Sequence, residues 1–189
     1  MEENSSAIAL KTLLEGNMRF VQRQSAAAEV MHEKRKKTVD GQSPFAIVLA
    51  CADSRVAPEV IFDQSIGDIF TVRVAGNIAD ETQIESINYA AGALGAPLLM
   101  VLGHESCGAV NAVLSGNSAA LPRIASFIEP AIEGAEDGSL ECAVKANVAA
   151  IVNQLGENPL LASLVKKGQL QIIGGYYSFQ SGEVTLLDS

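Results

Sequence analysis

The stretch Phe45-Ala-Ile-Val-Leu-Ala-Cys-Ala-Asp-Ser-Arg-Val56 decides the fold. Its first half, Phe45–Ala50, is an unbroken apolar run. A strand that is apolar at every position has both faces covered, as in a parallel sheet lying between layers of helix. Its second half puts Cys51, Asp53 and Arg55 on alternate residues just past that strand. In open α/β sheets, ligands bind beyond the carboxyl ends of the strands.

Outward from there, the pattern recurs. Residues 69–74 and 97–102 read as buried strands, and 170–173 as a fourth. Residues 184–187 read as a fifth. The turn 180–183 before it is short enough for antiparallel pairing at a sheet edge. Apolar spacing predicts helices over 81–94, 107–114, 122–132, 141–155 and 159–166, with a short one at 58–62. Near the start, Ile8, Leu10, Leu13, Leu14, Met18, Phe20 and Val21 fall at helical spacing over 7–24, interrupted by Gly16 and Asn17. A second helix is expected over 27–39, stopped by Asp40-Gly41. The architecture expected is α/β: a mainly parallel sheet of four to five strands flanked by helices. It forms a single domain, 1–189, with an N-terminal helical arm (1–40) and an α/β core (41–189).

The chain has 189 residues, 48% of them hydrophobic, enough to bury a sizeable core. Its 22 acidic and 13 basic residues give a net charge of −9, which disfavours nucleic acid as a partner. The basic run His32–Lys37 reads as a solvated helix face. The longest apolar region, 89–103, is broken by glycine and by Pro97 and falls short of a membrane span. The beginning, Met-Glu-Glu, lacks the features of an export leader, so a cytoplasmic location is expected. In a reducing compartment, three cysteines are thiols or metal ligands rather than a disulfide framework.

A second strand-end motif follows the run at 97–102: Gly103-His-Glu-Ser-Cys-Gly-Ala-Val110. One Cys, a long gap, then His-x-x-Cys is a donor set of two thiolates and an imidazole, suited to zinc. Three protein ligands leave the fourth tetrahedral position open. Cys107 falls at the first turn of a helix, where partial positive charge favours the thiolate. Gly103 and Gly108 permit a tight turn and close approach. An isolated cysteine is commonly a small hydrophobe, and Cys142 is read that way. Asp53 leaves three readings open. It can close the site as a fourth ligand of a structural zinc. It can be held off the metal by a bidentate Arg55, with an oxygen free for a water. Or the two can form an ordinary surface ion pair.

In order and spacing, CADSRV (51–56), GDIFTVRVAGN (67–77), SINYA (86–90) and GHESCGAV (103–110) resemble the β-class carbonic anhydrases. ALKTLLEGNMRF (9–20) and IIGGYYSFQSGEVTLL (172–187) extend the resemblance to nearly the whole chain. It implies zinc held by Cys51, His104 and Cys107, and a catalytic pair Asp53–Arg55. It implies that Gln42 reaches the substrate pocket of a neighbouring subunit. Phe70 and Tyr89 match pocket-lining positions, and the Gly108 amide matches a position near bound substrate. Ala75, with Phe70 and Tyr89, would form an apolar slot for carbon dioxide. The implied reaction is reversible hydration of carbon dioxide to bicarbonate by a hydroxide generated at zinc. The implied assembly is a homodimer or tetramer whose N-terminal helices embrace the partner. Hydrolysis of carbonyl sulfide or carbon disulfide on the same fold, and a non-catalytic zinc-stabilised scaffold, are the alternatives. Departures occur at Ala52, Val74, Ala75 and Asn88, which bear on pocket polarity and volume. One subset of the family is switched off by bicarbonate at a site that uses a tryptophan. This chain has none.

Overall fold

The computed structural model describes residues 5–133, 135 and 138–187. The first four residues of the expected arm lie outside that range. The sheet has five strands: β1 (Ala46–Ala50), β2 (Ile69–Arg73), β3 (Leu98–His104), β4 (Gln171–Tyr177) and β5 (Val184–Leu187). Their order is β2-β1-β3-β4-β5. The first four are parallel, and β5 pairs antiparallel with β4 at one edge. The helices are α1 (Ser5–Val21), α2 (Ala27–Lys37), α3 (Pro58–Ile61), α4 (Glu81–Gly92), α5 (Gly108–Leu114), α6 (Pro122–Ile132), α7 (Leu140–Glu157) and α8 (Pro159–Lys166).

The central strands explain the layering. Every residue of β1 and β3 is buried. Ile47, Leu49, Leu99 and Val101 point to one face and pack with α4, α5, α6, α7 and α8. Ala46, Val48, Ala50, Leu98, Met100 and Leu102 point to the other, with α1 and α3. Burying each large aliphatic side chain contributes about 1.5–3 kcal/mol.

Two local expectations are corrected. Gly16 and Asn17 do not interrupt the first helix; α1 runs through both. A Cβ at Gly16 would come within 1.8 Å of the Phe62 carbonyl oxygen, so glycine lets α1 lie against the end of α3. Asn17 is buried and binds the backbone of Ile61, Gly182 and Val184. Further on, β4 does not stop at residue 173 but continues to Tyr177, carrying two glycines inside it.

Of the apolar arm residues, Leu13 is fully buried in this chain's own core, and Leu10 and Phe20 pack partly against it. None of the eleven residues of α2 is buried. Among the described residues, no helix is long and apolar enough to cross a membrane.

Candidate metal centre

Neighbouring parallel strands bring two distant loops together. Ala50, the last residue of β1, is level with Leu102 of β3. Cys51 follows at once. His104 ends β3, and Cys107 is the N-cap of α5. All three are buried, and their ligand atoms lie within 4.8 Å of one another. Asp53 stands outside that group. Cys142 is half-buried in α7, also outside it, and all three cysteines are free.

The donor set fits a soft divalent cation. His104 Nδ1–H donates to the Glu105 carbonyl at 2.8 Å, which leaves Nε2 with a free lone pair. Nε2 is buried and has no hydrogen-bond partner among the described residues. Leaving such an atom unpaired is costly, and a metal satisfies it. The two sulfurs lie close enough to bias each other's ionisation. Cys51 is pulled down, foremost by a hydrogen bond from the Cys107 thiol, against burial, with help from the Asp53 and Gly76 amides. Cys107 is pushed up by the same contact and by burial, while the Val110 and Ala109 amides favour its thiolate. A divalent cation bound here would take both sulfurs as thiolate ligands. The residues therefore fit zinc.

Asp53 and Arg55 form a closed fork. Arg55 Nε donates to Asp53 Oδ1 at 2.9 Å and Nη2 to Oδ2 at 2.8 Å. The Arg55 amide adds a third bond to Oδ1 at 2.9 Å. The guanidinium holds the Asp53 carboxyl well below the usual carboxylate range. Asp53 and Arg55 meet in the two-pronged geometry that the second of the three readings describes.

Four supporting residues escaped the sequence reading. Arg73, at the end of β2, donates to the carbonyls of Cys51 (3.1 Å) and Asp53 (2.7 Å) and so braces the ligand loop. It too is a polar residue closing a strand at the binding edge, which is the signal that singled out Cys51. Asn147 of α7 donates to the Gly76 carbonyl at 2.9 Å, and Gly76 N–H donates to Cys51 Sγ at 3.3 Å. Gly76 holds φ of 72°, a left-handed conformation that suits glycine. Phe179 lies against both Arg55 and His104.

The remaining sequence candidates are dispersed. Ala75 opens the 3₁₀ turn Ala75–Asn77 that carries Gly76. Gly108 is the exposed first residue of α5. A Cβ there would meet nothing within 4 Å, so close packing does not require glycine at that position. Gly103 lies inside β3 rather than in a turn, with a Cβ at that position 2.6 Å from Val148. Phe70 and Tyr89 pack on each other at the open β2 edge, ring centroids 6.2 Å apart. Gln42 precedes β1, at the opposite end of the sheet from Cys51. Eight residues separate them, and the five of β1 alone span about 16 Å. His32 is exposed on α2.

Comparison with known proteins agrees with this geometry. The carbonic anhydrase family model matches residues 46–184. Carbonic anhydrase 2 of Mycobacterium tuberculosis is 36% identical over 202 residues, covering 100% of this chain and 96% of that one. The chain belongs to the β-class carbonic anhydrases. It is an enzyme, a lyase of that class. The β-carbonic anhydrase CcaA superposes with a TM-score of 0.73 at 27% identity, over 95% of this chain and 87% of that one. A Coccomyxa β-carbonic anhydrase solved with acetazolamide gives 0.71 at 25% identity, over 94% and 86%. The strand ends of this fold carry the cluster of Cys51, His104 and Cys107.

Proposed function

We propose that this chain reversibly hydrates carbon dioxide to bicarbonate and a proton, with zinc held by Cys51, His104 and Cys107. When zinc is bound there, the chemistry it supplies is Lewis-acid ionisation of water near neutral pH, from a pKa of about 15.7 toward about 7. The observation that carries the reading is the Asp53–Arg55 fork beside the three-donor group. Asp53 Oδ1 accepts two bonds from Arg55 and Oδ2 accepts one, so Oδ2 keeps a lone pair free. Held ionised, Asp53 is an acceptor that orients a reacting water and aims its lone pair at the carbon of the substrate. Arg55 fixes that acceptor, and a scaffold would have no use for the pair.

Carbon dioxide is small and uncharged, so it needs an apolar slot rather than a charged clamp. Phe70, Ala75 and Tyr89 are assigned to that slot, with the Gly108 amide and Gln42 stabilising negative oxygen as bicarbonate forms. In one chain Gln42 stands at the far end of β1, and Phe70, level with Ile47, lies toward that same end, so this assignment requires a partner subunit. A homodimer or tetramer is inferred. Its support is the unburied α2 and an apolar groove of about 480 Å3 between α2 and the α3–β2 loop, with Met31, Val60 and Ile66 exposed around it. Residues 1–40 then act as an arm on a core of 41–189. Three free thiols suit a cytoplasmic location.

Stopped-flow hydration on zinc-loaded protein tests the reading. The expected result is carbon dioxide turnover that Asp53→Asn largely abolishes. Turnover of carbonyl sulfide or carbon disulfide without carbon dioxide hydration would move the assignment to the hydrolases. No turnover of any of the three would leave the scaffold.

A further inference from the structure

The Asp53–Arg55 fork faces a physical difficulty. The Arg55 side chain is 54% exposed. An exposed ion pair gains little in water, and long side chains there sample several rotamers. Something must restrict the guanidinium if Asp53 is to be aimed.

One ring does so. The Arg55 Cζ sits over the face of Phe179, 4.2 Å from its centroid. The same ring packs on the His104 imidazole, centroids 5.2 Å apart with the planes at 47°. Tyr177 closes its edge at 5.5 Å, perpendicular. A flat π-face attracts a guanidinium and limits where it can lie.

Phe179 is on the β4–β5 connection, and such turns move unless fastened. Here Glu105 fastens it. A single carboxylate oxygen, Oε2, accepts from Phe179 N–H (2.8 Å), Ser178 O–H (3.0 Å) and Gln180 N–H (3.2 Å). The Glu105 amide donates to the Tyr177 carbonyl at 2.8 Å. Its own carbonyl is the one that His104 Nδ1–H binds. Glu105 thus ties the turn to the imidazole, and Phe179 ties the imidazole to the guanidinium.

We infer that Phe179 is a positioning residue for the Asp53–Arg55 pair, anchored by the Glu105 carboxylate. Phe179 touches no reacting atom; it acts through Arg55. The inference rests on the catalytic reading of that pair, so its test has an arm that does not depend on turnover.

That arm is the side-chain Nε–H resonance of Arg55, assigned by its loss in Arg55→Lys and recorded on metal-free and zinc-loaded full-length protein. The ring current moves this proton upfield relative to a protein without the ring, while its hydrogen bond to Asp53, which acts in the opposite sense, is common to both. The shift is expected to persist in Phe179→Tyr, which keeps the π-face, and to vanish in Phe179→Leu, which fills similar space without one. In the kinetic arm, zinc content and melting temperature stay unchanged. Phe179→Leu loses about two- to fivefold in kcat/KM, the factor that corresponds to an exposed cation–π contact. Phe179→Tyr recovers wild-type values. Glu105→Ala is expected to lose the upfield shift as Phe179→Leu does, and it decides the matter if Phe179→Leu does not fold. An Arg55 resonance at the same position in wild type and Phe179→Leu, or a folded Phe179→Leu protein with wild-type kcat/KM, overturns the proposal. Wild-type protein that loads zinc but does not hydrate carbon dioxide sinks the earlier reading instead, and the resonance still decides the placement of Phe179.

Discussion

Asn147 and Gly76 lie 71 residues apart and are joined by a buried 2.9 Å hydrogen bond. The bond orients the peptide whose neighbouring N–H meets Cys51 Sγ at 3.3 Å. Residues that orient ligands are worth about 10–100-fold in metal affinity. Asn147→Ala is therefore expected to weaken zinc binding about tenfold while the fold survives. Competition with a chromogenic chelator measures it. Unchanged affinity would confine Asn147 to packing.

The ligands and the fork separate cleanly by substitution. Cys107→Ser replaces a soft thiolate donor in the three-residue group, and it is expected to abolish tight zinc binding. Asp53→Asn leaves the donor set intact but removes the charge that Arg55 pairs with. It should retain stoichiometric zinc and lose about a hundredfold or more in turnover. Metal analysis alongside hydration kinetics distinguishes the two. Full zinc in Cys107→Ser would remove that residue from the ligand set.

The parts legible in sequence were those whose signal is local. β1 and β3 announce themselves because burial on both faces demands apolar residues throughout. Cys51 directly follows β1, His104 ends β3 and Cys107 lies three residues on, so all three fall at the carboxyl ends of strands, where such sheets bind ligands. Illegible features have distant causes. β4 runs past its expected end because α7 crosses so closely that Cβ atoms at Gly103 and Gly174 would meet Val148 at 2.6 and 2.9 Å. Glycine inside a strand reads as a break until the helix above it is known. Asn147 and Phe179 matter through partners more than fifty residues away.

Asn17 is the clearest such case. Its side chain accepts from Val184 N–H (2.9 Å) and donates to the Gly182 (2.9 Å) and Ile61 (3.1 Å) carbonyls. One buried amide therefore fastens α1 to the end of α3 and to the start of β5. Asn17→Ala orphans these groups and is expected to destabilise the fold by about 2–4 kcal/mol. Thermal or urea unfolding measures it. A loss below about 0.5 kcal/mol would show that other contacts hold α1.

The arm should loosen in acid through Asp63. This carboxylate is 5% exposed. It accepts from Arg19 Nε at 2.6 Å and from the amides of Ala26 and Ala27 at 3.0 and 2.9 Å, so it pairs with the end of α1 and caps the start of α2. Burial pushes its pKa up, but Arg19 and the two amides outweigh burial and hold it below the usual carboxylate value. A pKa depressed on folding contributes stability above the unfolded value of about 3.9. That contribution is lost as pH falls through the folded value. α2 buries none of its residues, and the Lys34–Asp68 ion pair is its other charged tie to the body of the chain among the described residues. Amide protection over 26–37, corrected for the intrinsic exchange rate, is expected to fall as pH drops below about 4, before global unfolding. Asp63→Asn should exchange faster already at pH 7 and show a smaller acid dependence. Equal α2 exchange in the two proteins at neutral pH would show that Asp63 is not the fastening.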